Sequence, residues 1–177
     1  IAASMIARDY SCYYDDLGIS PKTIFALAYD ENFLLGDGLL DKAWDILDYH
    51  NAHTEGGLRH LRQRYDQTLH KQASYKDNED GVFYRTGGEV IGKVIKENRQ
   101  TRGTSGYKIY LEELGSFKNV DKYYRSIQQT VEEGGQFTGQ IIGFGTGGDR
   151  NEFIEAMKEF WYNPARFNMM VFDNSDF

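Results

Sequence analysis

The stretch KIYLEELGSF, Lys108 to Phe117, decides how the rest of the sequence is interpreted. It opens with apolar residues typical of a buried strand, ends on the adjacent carboxylates Glu112 and Glu113, and breaks at Gly115. Two carboxylates at one strand end can have different roles in a hydrolytic reaction. One can hold a divalent cation, and the other can polarise the attacking water. The same pattern also fits an ordinary strand that meets its loop, so this stretch alone leaves both interpretations open.

The residues that follow predict how this strand is connected. An amphipathic segment, Val120–Glu133, has apolar residues at helical spacing, and a second apolar strand follows at Gln140–Phe144. A strand, a helix and a strand in this order predict the crossover unit of a parallel sheet, with both strands ending on the same edge. Ligands bind at that edge in open α/β sheets, so Glu112, Glu113 and Thr146 are expected to converge there.

The second strand runs into a glycine-rich stretch, GTGGD, at residues 145–149. Glycines on both sides of Thr146 leave its backbone N–H and its hydroxyl free to approach a phosphate or a water. The alternative is a flexible strand-to-helix turn, with Asp149 or Asn151 capping a helix at Glu152–Trp161.

The remaining elements are predicted from apolar periodicity and from glycine and proline stop signals. Helices are expected from Ile1 to about Asp15-Asp16, at Gly38–Tyr49 and at Leu58–Leu69. Strands are expected at Thr23–Tyr29 and at Phe167–Phe172, the second after a break at Asn163-Pro164. A loop is expected at Ala73–Asp80, followed by a hairpin of Val82–Tyr84 and Val90–Ile95 around Thr86-Gly87-Gly88. Together these elements predict one α/β domain.

Composition limits the class of protein. The 177 residues have a formal net charge of −7 and are 40% hydrophobic, with one cysteine, Cys12. Negative charge argues against a binder that contacts DNA over its whole surface, but not against a protein that touches DNA through a few local elements. No apolar run approaches the roughly twenty residues that span a bilayer, and a single cysteine fits a reducing compartment.

Four stretches taken together resemble the ATPase domain of tailed-phage terminase large subunits. They are RGTSGYKIYLEELGSF (102–117), NVDKYYRSIQQTVEEGG (119–135), IIGFGTGGD (141–149) and EFWYNPARFNMMVFDN (159–174). The resemblance is dense from about Gly87 to Asn174. It implies an α/β fold of the RecA-like, ASCE type of P-loop NTPases, with a mostly parallel sheet flanked by helices. Such a domain hydrolyses ATP to drive DNA into a procapsid.

The resemblance also implies roles for individual residues. Glu112 matches the Walker B metal position, although the more usual residue there is Asp, and Glu113 matches the catalytic carboxylate. Thr146, within Gly145–Gly147, matches the coupling motif that senses the γ-phosphate. For Arg102 two interpretations stay open: a guanidinium near the nucleotide that stabilises transition-state charge, or a loop arginine in a local salt bridge.

The resemblance implies cofactors, partners and a location as well. The cofactors are ATP and Mg²⁺. The partners are double-stranded DNA, the portal protein and the small terminase subunit, with a homo-oligomeric ring on the procapsid and no membrane. Such a protein works in the host cytoplasm, transiently at the procapsid portal vertex.

One motif of the family is missing from these residues. No G-x-x-x-x-G-K-[ST] occurs, although this loop cradles the phosphates in P-loop NTPases. Residues 1–8, IAASMIAR, look like a helix already under way, and in the family such a helix follows the loop directly. The expectation is a partial ATPase domain, residues 1–177, that is incomplete at its amino end, starts just after the Walker A loop, lacks the nuclease domain and is itself inactive. The alternative is a non-catalytic α/β structural or interaction domain that retains the NTPase scaffold.

Overall fold

A computed structural model gives the fold, and it describes residues 1–11, 23–53, 61–65, 68–76, 83–96, 106–117, 120–145 and 151–172. The described helices are α1 (Ala2–Ser11), α2 (Leu39–His53), α3 (Val120–Gln128) and α4 (Asn151–Tyr162). The described strands are β1 (Ile24–Ala28), β2 (Leu61–Tyr65), β3 (Thr68–Lys76), β4 (Phe83–Val94), β5 (Lys108–Glu112), β6 (Glu132–Glu133), β7 (Gln136–Phe137) and β8 (Gln140–Gly143). Single turns of 3-10 helix also lie at Glu31–Phe33, Leu114–Ser116 and Pro164–Phe167. None of the described helices is long and apolar enough to cross a membrane.

Six strands form one sheet, in the order β2-β3-β4-β1-β5-β8. β4, β1, β5 and β8 are parallel to one another, while β3 is antiparallel to both β2 and β4. Because the four parallel strands share a direction, their carboxyl ends lie on one edge, named the carboxyl edge below. The predicted parallel arrangement of the strands near residues 24–28, 108–112 and 140–143 is confirmed. β8 lies at the end of the described sheet, with β5 as its neighbour.

Helices cover both faces of the sheet. α1 and α2 pack on one face, over buried residues that include Ile6, Trp44, Val90 and Tyr110. α3 and α4 pack on the other face, over buried residues that include Ile109, Leu111, Ile127 and Phe160. Consecutive residues of β5 therefore alternate between two cores, as the two-residue period of a strand requires. Each fully buried aliphatic side chain contributes about 1.5–3 kcal/mol.

The region after α2 consists of strands where the sequence predicts a helix at Leu58–Leu69 and a loop at Ala73–Asp80. Both predictions are wrong over the described residues, because β2 covers Leu61–Tyr65 and β3 runs from Thr68 to Lys76. β3 pairs with β4 along most of its length and so extends the sheet. Such long-range pairing outweighs a weak local helical pattern.

The predicted hairpin around Thr86-Gly87-Gly88 is also wrong, because residues 83–94 form the single strand β4. One end of this strand pairs with both β1 and β3, while the rest pairs with β3 alone. The register of β3 shifts between Gln72 and Ser74, opposite the segment that contains the two glycines. Glycines inside a strand commonly accompany a bulge of this kind.

The segment after α4 forms no strand in the described residues, so the predicted strand at Phe167–Phe172 is wrong. The predicted break at Asn163-Pro164 is confirmed, and it leads into the 3-10 helix at 164–167. Phe167 is buried with its ring centroid 5.8 Å from that of Tyr124 and 4.6 Å from that of Phe160. The Tyr124 hydroxyl also donates to the Phe167 carbonyl oxygen at 2.5 Å. These contacts hold the chain against α3 and α4 instead of in the sheet.

The other predicted elements agree with the structure, apart from one helix end. β1, α2 and α4 confirm the elements predicted at Thr23–Tyr29, Gly38–Tyr49 and Glu152–Trp161, while the predicted end of the first helix lies outside the described residues.

The predicted helix Val120–Glu133 is too long, since α3 ends at Gln128. The backbone N–H and the hydroxyl of Thr130 both donate to the Ile127 carbonyl oxygen, and this turn ends the helix. The chain then forms the small hairpin β6–β7, whose turn residues Gly134 and Gly135 both have positive φ.

Candidate functional site

Glu112 and Glu113 lie where β5 ends at the carboxyl edge. Glu112 is the last residue of β5 and lies beside Ala28, the last residue of β1. Glu113 leaves the strand in the left-handed region, with φ 48° and ψ 58°, and turns the chain into the 3-10 helix Leu114–Ser116. A residue with a Cβ seldom adopts this conformation, and strained backbone of this kind clusters at functional sites. The turn therefore makes the paired carboxylates a candidate site.

The end of β8 is held against the same turn. The Leu114 N–H donates to the Phe144 carbonyl oxygen at 3.0 Å, and the Phe144 N–H donates to the Leu111 carbonyl oxygen at 3.1 Å. Gly145 follows with φ 136°, and a Cβ built on it would lie 2.7 Å from the Glu113 Cα and 3.0 Å from a Glu113 carboxylate oxygen. A side chain does not fit there, so the position requires glycine. The structure thus brings Gly145 directly against Glu113.

The other residues of the predicted site are Thr146, Gly147 and Arg102, and all three lie outside the described residues. Thr146 follows Gly145 directly in the sequence. Within the part of the chain that is described, Glu112, Glu113 and Gly145 lie at the carboxyl edge, and the expected convergence with Thr146 stays a prediction.

The surroundings of Glu112 disfavour the ionised form of its carboxyl group. Burial, followed by the negative charge of Glu113, raises the pKa of Glu112 from 4.5 to about 7, while the positive charge of Lys42 acts in the opposite direction. The Oε2 atom of Glu112 is buried and accepts no hydrogen bond from any described residue. A buried carboxylate oxygen without a partner is costly, and a cation or a water at this oxygen would satisfy it.

Mg²⁺ is a cation that fits this donor set. It prefers oxygen donors, usually takes only one or two carboxylates from the protein, and keeps waters or phosphate oxygens as its other ligands. Glu112 and Glu113 offer such oxygens at the end of one strand. Across the described ranges, no group of three or more His, Cys, Asp or Glu side chains is placed to hold a metal ion. A pair of carboxylates suits a cation that takes its other ligands from water or phosphate.

Lys42 also acts on this site, although the sequence analysis did not select it. It lies in the first turn of α2, and the loop before this helix leaves the end of β1. The Gly36 N–H donates to the Asp41 carboxylate at 2.7 Å and so ties this loop to the start of the helix. Because β1 lies beside β5, a positive charge here acts on Glu112. Chain order does not reveal which strands are neighbours, so no sequence signal pointed to Lys42.

Comparison with known proteins identifies the fold. No protein-family model matches the chain, and neither does any curated protein. The large terminase of a thermophilic bacteriophage matches with a TM-score of 0.54 at 8% identity, over 91% of this chain and 34% of that one. The large-terminase ATPase domain of Thermus phage P74-26 matches with a TM-score of 0.51 at 12% identity, over 86% of this chain and 58% of that one. The fold is that of the phage large-terminase ATPase domain.

The terminase fold confirms the predicted architecture, a RecA-like and mostly parallel sheet flanked by helices. The large terminase of the same thermophilic bacteriophage in complex with ADP gives a TM-score of 0.49 at 8% identity, over 80% of this chain and 29% of that one. The chain thus spans 29% to 58% of the length of these proteins. At such low identities the likeness establishes the fold alone, so the activity has to be argued from the site.

Proposed function

We propose that the chain is part of an ATP-hydrolysing motor of the large-terminase type, which drives double-stranded DNA into a procapsid. The main support is the pair Glu112 and Glu113 at the carboxyl edge of a terminase fold, with a buried Glu112 oxygen that has no partner among the described residues. Ligands of open α/β sheets bind at this edge. The P74-26 domain that shares the fold is named an ATPase domain.

In this proposal Glu112 is the residue that holds Mg²⁺. A carboxylate whose pKa is raised to about 7 by burial gains most from a cation that replaces its proton. When bound, Mg²⁺ neutralises charge that develops on the transferred phosphoryl group. Lys42 lowers the negative potential of the carboxylate pair, which keeps Glu112 available as an anion at neutral pH.

Glu113 is the residue that orients and polarises the attacking water. Its backbone conformation and its contact with Gly145 fix the point from which the carboxylate extends. A positioned general base contributes about 10²–10⁴-fold to the rate. We assign to Thr146, next to Gly145, the sensing of the γ-phosphate, and to Arg102 the stabilisation of transition-state charge.

The proposal extends to the rest of the motor. Residues 1–177 contain no G-x-x-x-x-G-K-[ST], so the proposal assigns none of these residues to the cradling of the phosphates. The motor would form a homo-oligomeric ring on the procapsid, with the portal protein and the small terminase subunit as partners. It would act in the host cytoplasm and transiently at the portal vertex.

Three variants of the full-length protein test these roles side by side. Glu113→Gln keeps the size of the side chain but removes its charge, so it should spare ATP binding and lower hydrolysis by about a hundredfold or more. Glu112→Ala should weaken Mg²⁺-dependent nucleotide binding itself. Thr146→Val should spare binding and uncouple hydrolysis from DNA movement. The measurements are nucleotide affinity, ATP turnover and DNA packaging.

Glu133→Gln is the matched control for Glu113→Gln. Glu132 and Glu133 form a second adjacent acidic pair, but they lie in the small hairpin β6–β7, where Glu133 is exposed. The control should hydrolyse ATP at the parental rate. If Glu113→Gln does so as well, the assignment of Glu113 is wrong, and a full-length protein without ATP turnover would favour the non-catalytic domain that retains the scaffold.

A further inference from the structure

A buried cluster of polar side chains joins α1 to the start of β5. The Lys108 ammonium and the Tyr110 hydroxyl both donate to the Oδ2 atom of Asp9 at 2.7 Å. The Nη2 atom of Arg8 donates to the other carboxylate oxygen of Asp9, also at 2.7 Å. The side chains of Asp9 and Lys108 are only 4% and 9% exposed, so their ion pair lies inside the fold.

The cluster holds Asp9 as an anion. Burial acts to raise the pKa of Asp9, but hydrogen bonds from Lys108, Tyr110 and Arg8 outweigh it and lower the pKa below its usual value. Burial, followed by the hydrogen bond to Asp9, raises the pKa of Tyr110, so this hydroxyl keeps its proton and donates it. Sliding of α1 along β5 would leave a buried charge without partners, which restricts the two elements to one relative placement.

Stability alone does not require such a cluster. Replacing a buried ion pair by apolar residues of similar volume is often neutral or stabilising. The neighbouring residues Ile6 and Ala7 of α1 already pack in an apolar core. The ion pair adds a fixed geometry, because hydrogen bonds of charged groups are directional whereas apolar packing adjusts to small shifts.

The cluster lies on the same face of β5 as the candidate site. Alternate residues of a strand share a face, so Lys108, Tyr110 and Glu112 lie on the face covered by α1 and α2. From Lys108 to Glu112 the strand rises about 13 Å. From Asp9 back to Ile1 the helix rises about 12 Å. The part of α1 before Asp9 is therefore nearly as long as the stretch of β5 from the cluster to the carboxyl edge.

We propose that Asp9 is a positioning residue, whose buried contacts with Lys108 and Tyr110 fix α1 at one distance from Glu112 and Glu113. This inference rests on the proposed function, in which ATP binds at the carboxyl edge. The residues of α1 and the carboxylates at the end of β5 then keep one relative placement, since the cluster locks the helix to the strand. A misplacement of reacting groups by about 1 Å can cost about a hundredfold in rate.

A triple variant of the full-length protein, Asp9→Leu/Lys108→Met/Tyr110→Phe, separates positioning from stability. It removes the three buried polar partners together, so no buried charge is left unpaired and the melting temperature should stay near the parental value. The kcat/KM for ATP should nevertheless fall about 10- to 100-fold. Amide hydrogens of α1 should also exchange faster than in the parent. The control is Glu159→Gln, which removes the exposed Arg166–Glu159 ion pair at 3.2 Å and should change neither quantity.

Parental kcat/KM together with parental exchange of α1 in the folded triple variant would overturn the proposal. If the triple variant does not fold, the single variant Tyr110→Phe tests the proposal instead. A lower kcat/KM at a parental melting temperature then supports the proposal, and unchanged kcat/KM and exchange contradict it. A parent protein that hydrolyses no ATP would contradict the proposed function instead, and the exchange of α1 would still decide whether the cluster fixes the helix.

Discussion

Replacing Glu112 by glutamine should stabilise the fold near pH 8 and leave its stability unchanged near pH 4. The pKa of Glu112 rises from 4.5 to about 7 on folding, so between these values the folded state binds the proton more strongly than the unfolded state does. The stability of the parent is then greatest at low pH and falls as the pH rises towards 7, because the ionised carboxylate is buried beside Glu113. Glutamine carries no charge, so the variant lacks this dependence on pH.

The size of the effect follows from the two pKa values of Glu112. A tenfold change in an ionisation constant is worth about 1.4 kcal/mol, so the interval from 4.5 to about 7 sets an upper limit of about 3 kcal/mol near pH 8. Glu112 is only partly buried, and screening by solvent reduces the expected gain to about 1–2 kcal/mol. Near pH 4 the carboxyl is mostly protonated in both states, and the difference should vanish.

Urea unfolding of the parent and of Glu112→Gln at about pH 4 and about pH 8 measures this gain as a difference in free energy of unfolding. The exposed Glu133 provides the control, since Glu133→Gln should show no such dependence on pH. A Glu112→Gln variant that is less stable than the parent near pH 8 would refute the argument. An equal gain in stability at both pH values would refute it too, because the gain would then not come from the charge.

The glycine at the end of β8 and the missing phosphate loop give two more predictions. Gly145→Ala should lower the free energy of unfolding by about 2–4 kcal/mol, because the cost of its positive φ adds to that of a Cβ 2.7 Å from the Glu113 Cα. Gly134→Ala, at φ +60° with nothing within 4 Å, should cost only about 1 kcal/mol, and equal losses in urea unfolding would contradict the steric argument. Residues 1–177 alone should bind ATP weakly or not at all, and tight binding in a calorimetric titration would show that the site is assigned wrongly.

The parallel centre of the sheet is predictable from local sequence for a physical reason. A strand buried on both faces is mostly apolar. β1 is buried at every position, and β5 is buried at its first four, of which only Lys108 is charged. Helical spacing between apolar runs then predicts the crossover, and the crossover fixes the direction of the next strand. These constraints act within about thirty residues of sequence, which is the range that periodicity can cover.

The errors in the prediction of the fold arise where strand pairing, or the exposure of apolar residues at the surface, outweighs the local sequence pattern. β2 and β3 alternate few apolar residues, and their extended form depends on pairing with β4. The run that ends at Phe172 is apolar, but Met170 and Phe172 are 81% and 59% exposed, so its composition does not reflect burial in a sheet. A single sequence does not distinguish an apolar surface segment from a core strand.

Some residues of the candidate site are likewise predictable from the sequence, and others are not. Glu112, Glu113 and Gly145 follow strands whose parallel direction is predictable, so their meeting at one edge follows from topology. The position of Lys42 near Glu112 and the pairing of Asp9 with Lys108 depend on which helices and strands are neighbours in the fold. Asp9 and Lys108 are 99 positions apart, and no local signal connects them.

The geometry at the end of β5 bears on the choice between a functional acidic pair and an ordinary strand end. At an ordinary strand end the acids extend into solvent and the backbone is relaxed. Here one oxygen of Glu112 is buried without a partner among the described residues, Glu113 has a left-handed backbone, and Gly145 leaves no room for a side chain. The buried oxygen of Glu112 and the left-handed backbone of Glu113 each cost stability, and stability costs that concentrate at one site are typical of function. A domain with only a structural role would be more stable with glutamine at position 112, so the buried glutamate favours the proposed motor over the non-catalytic alternative.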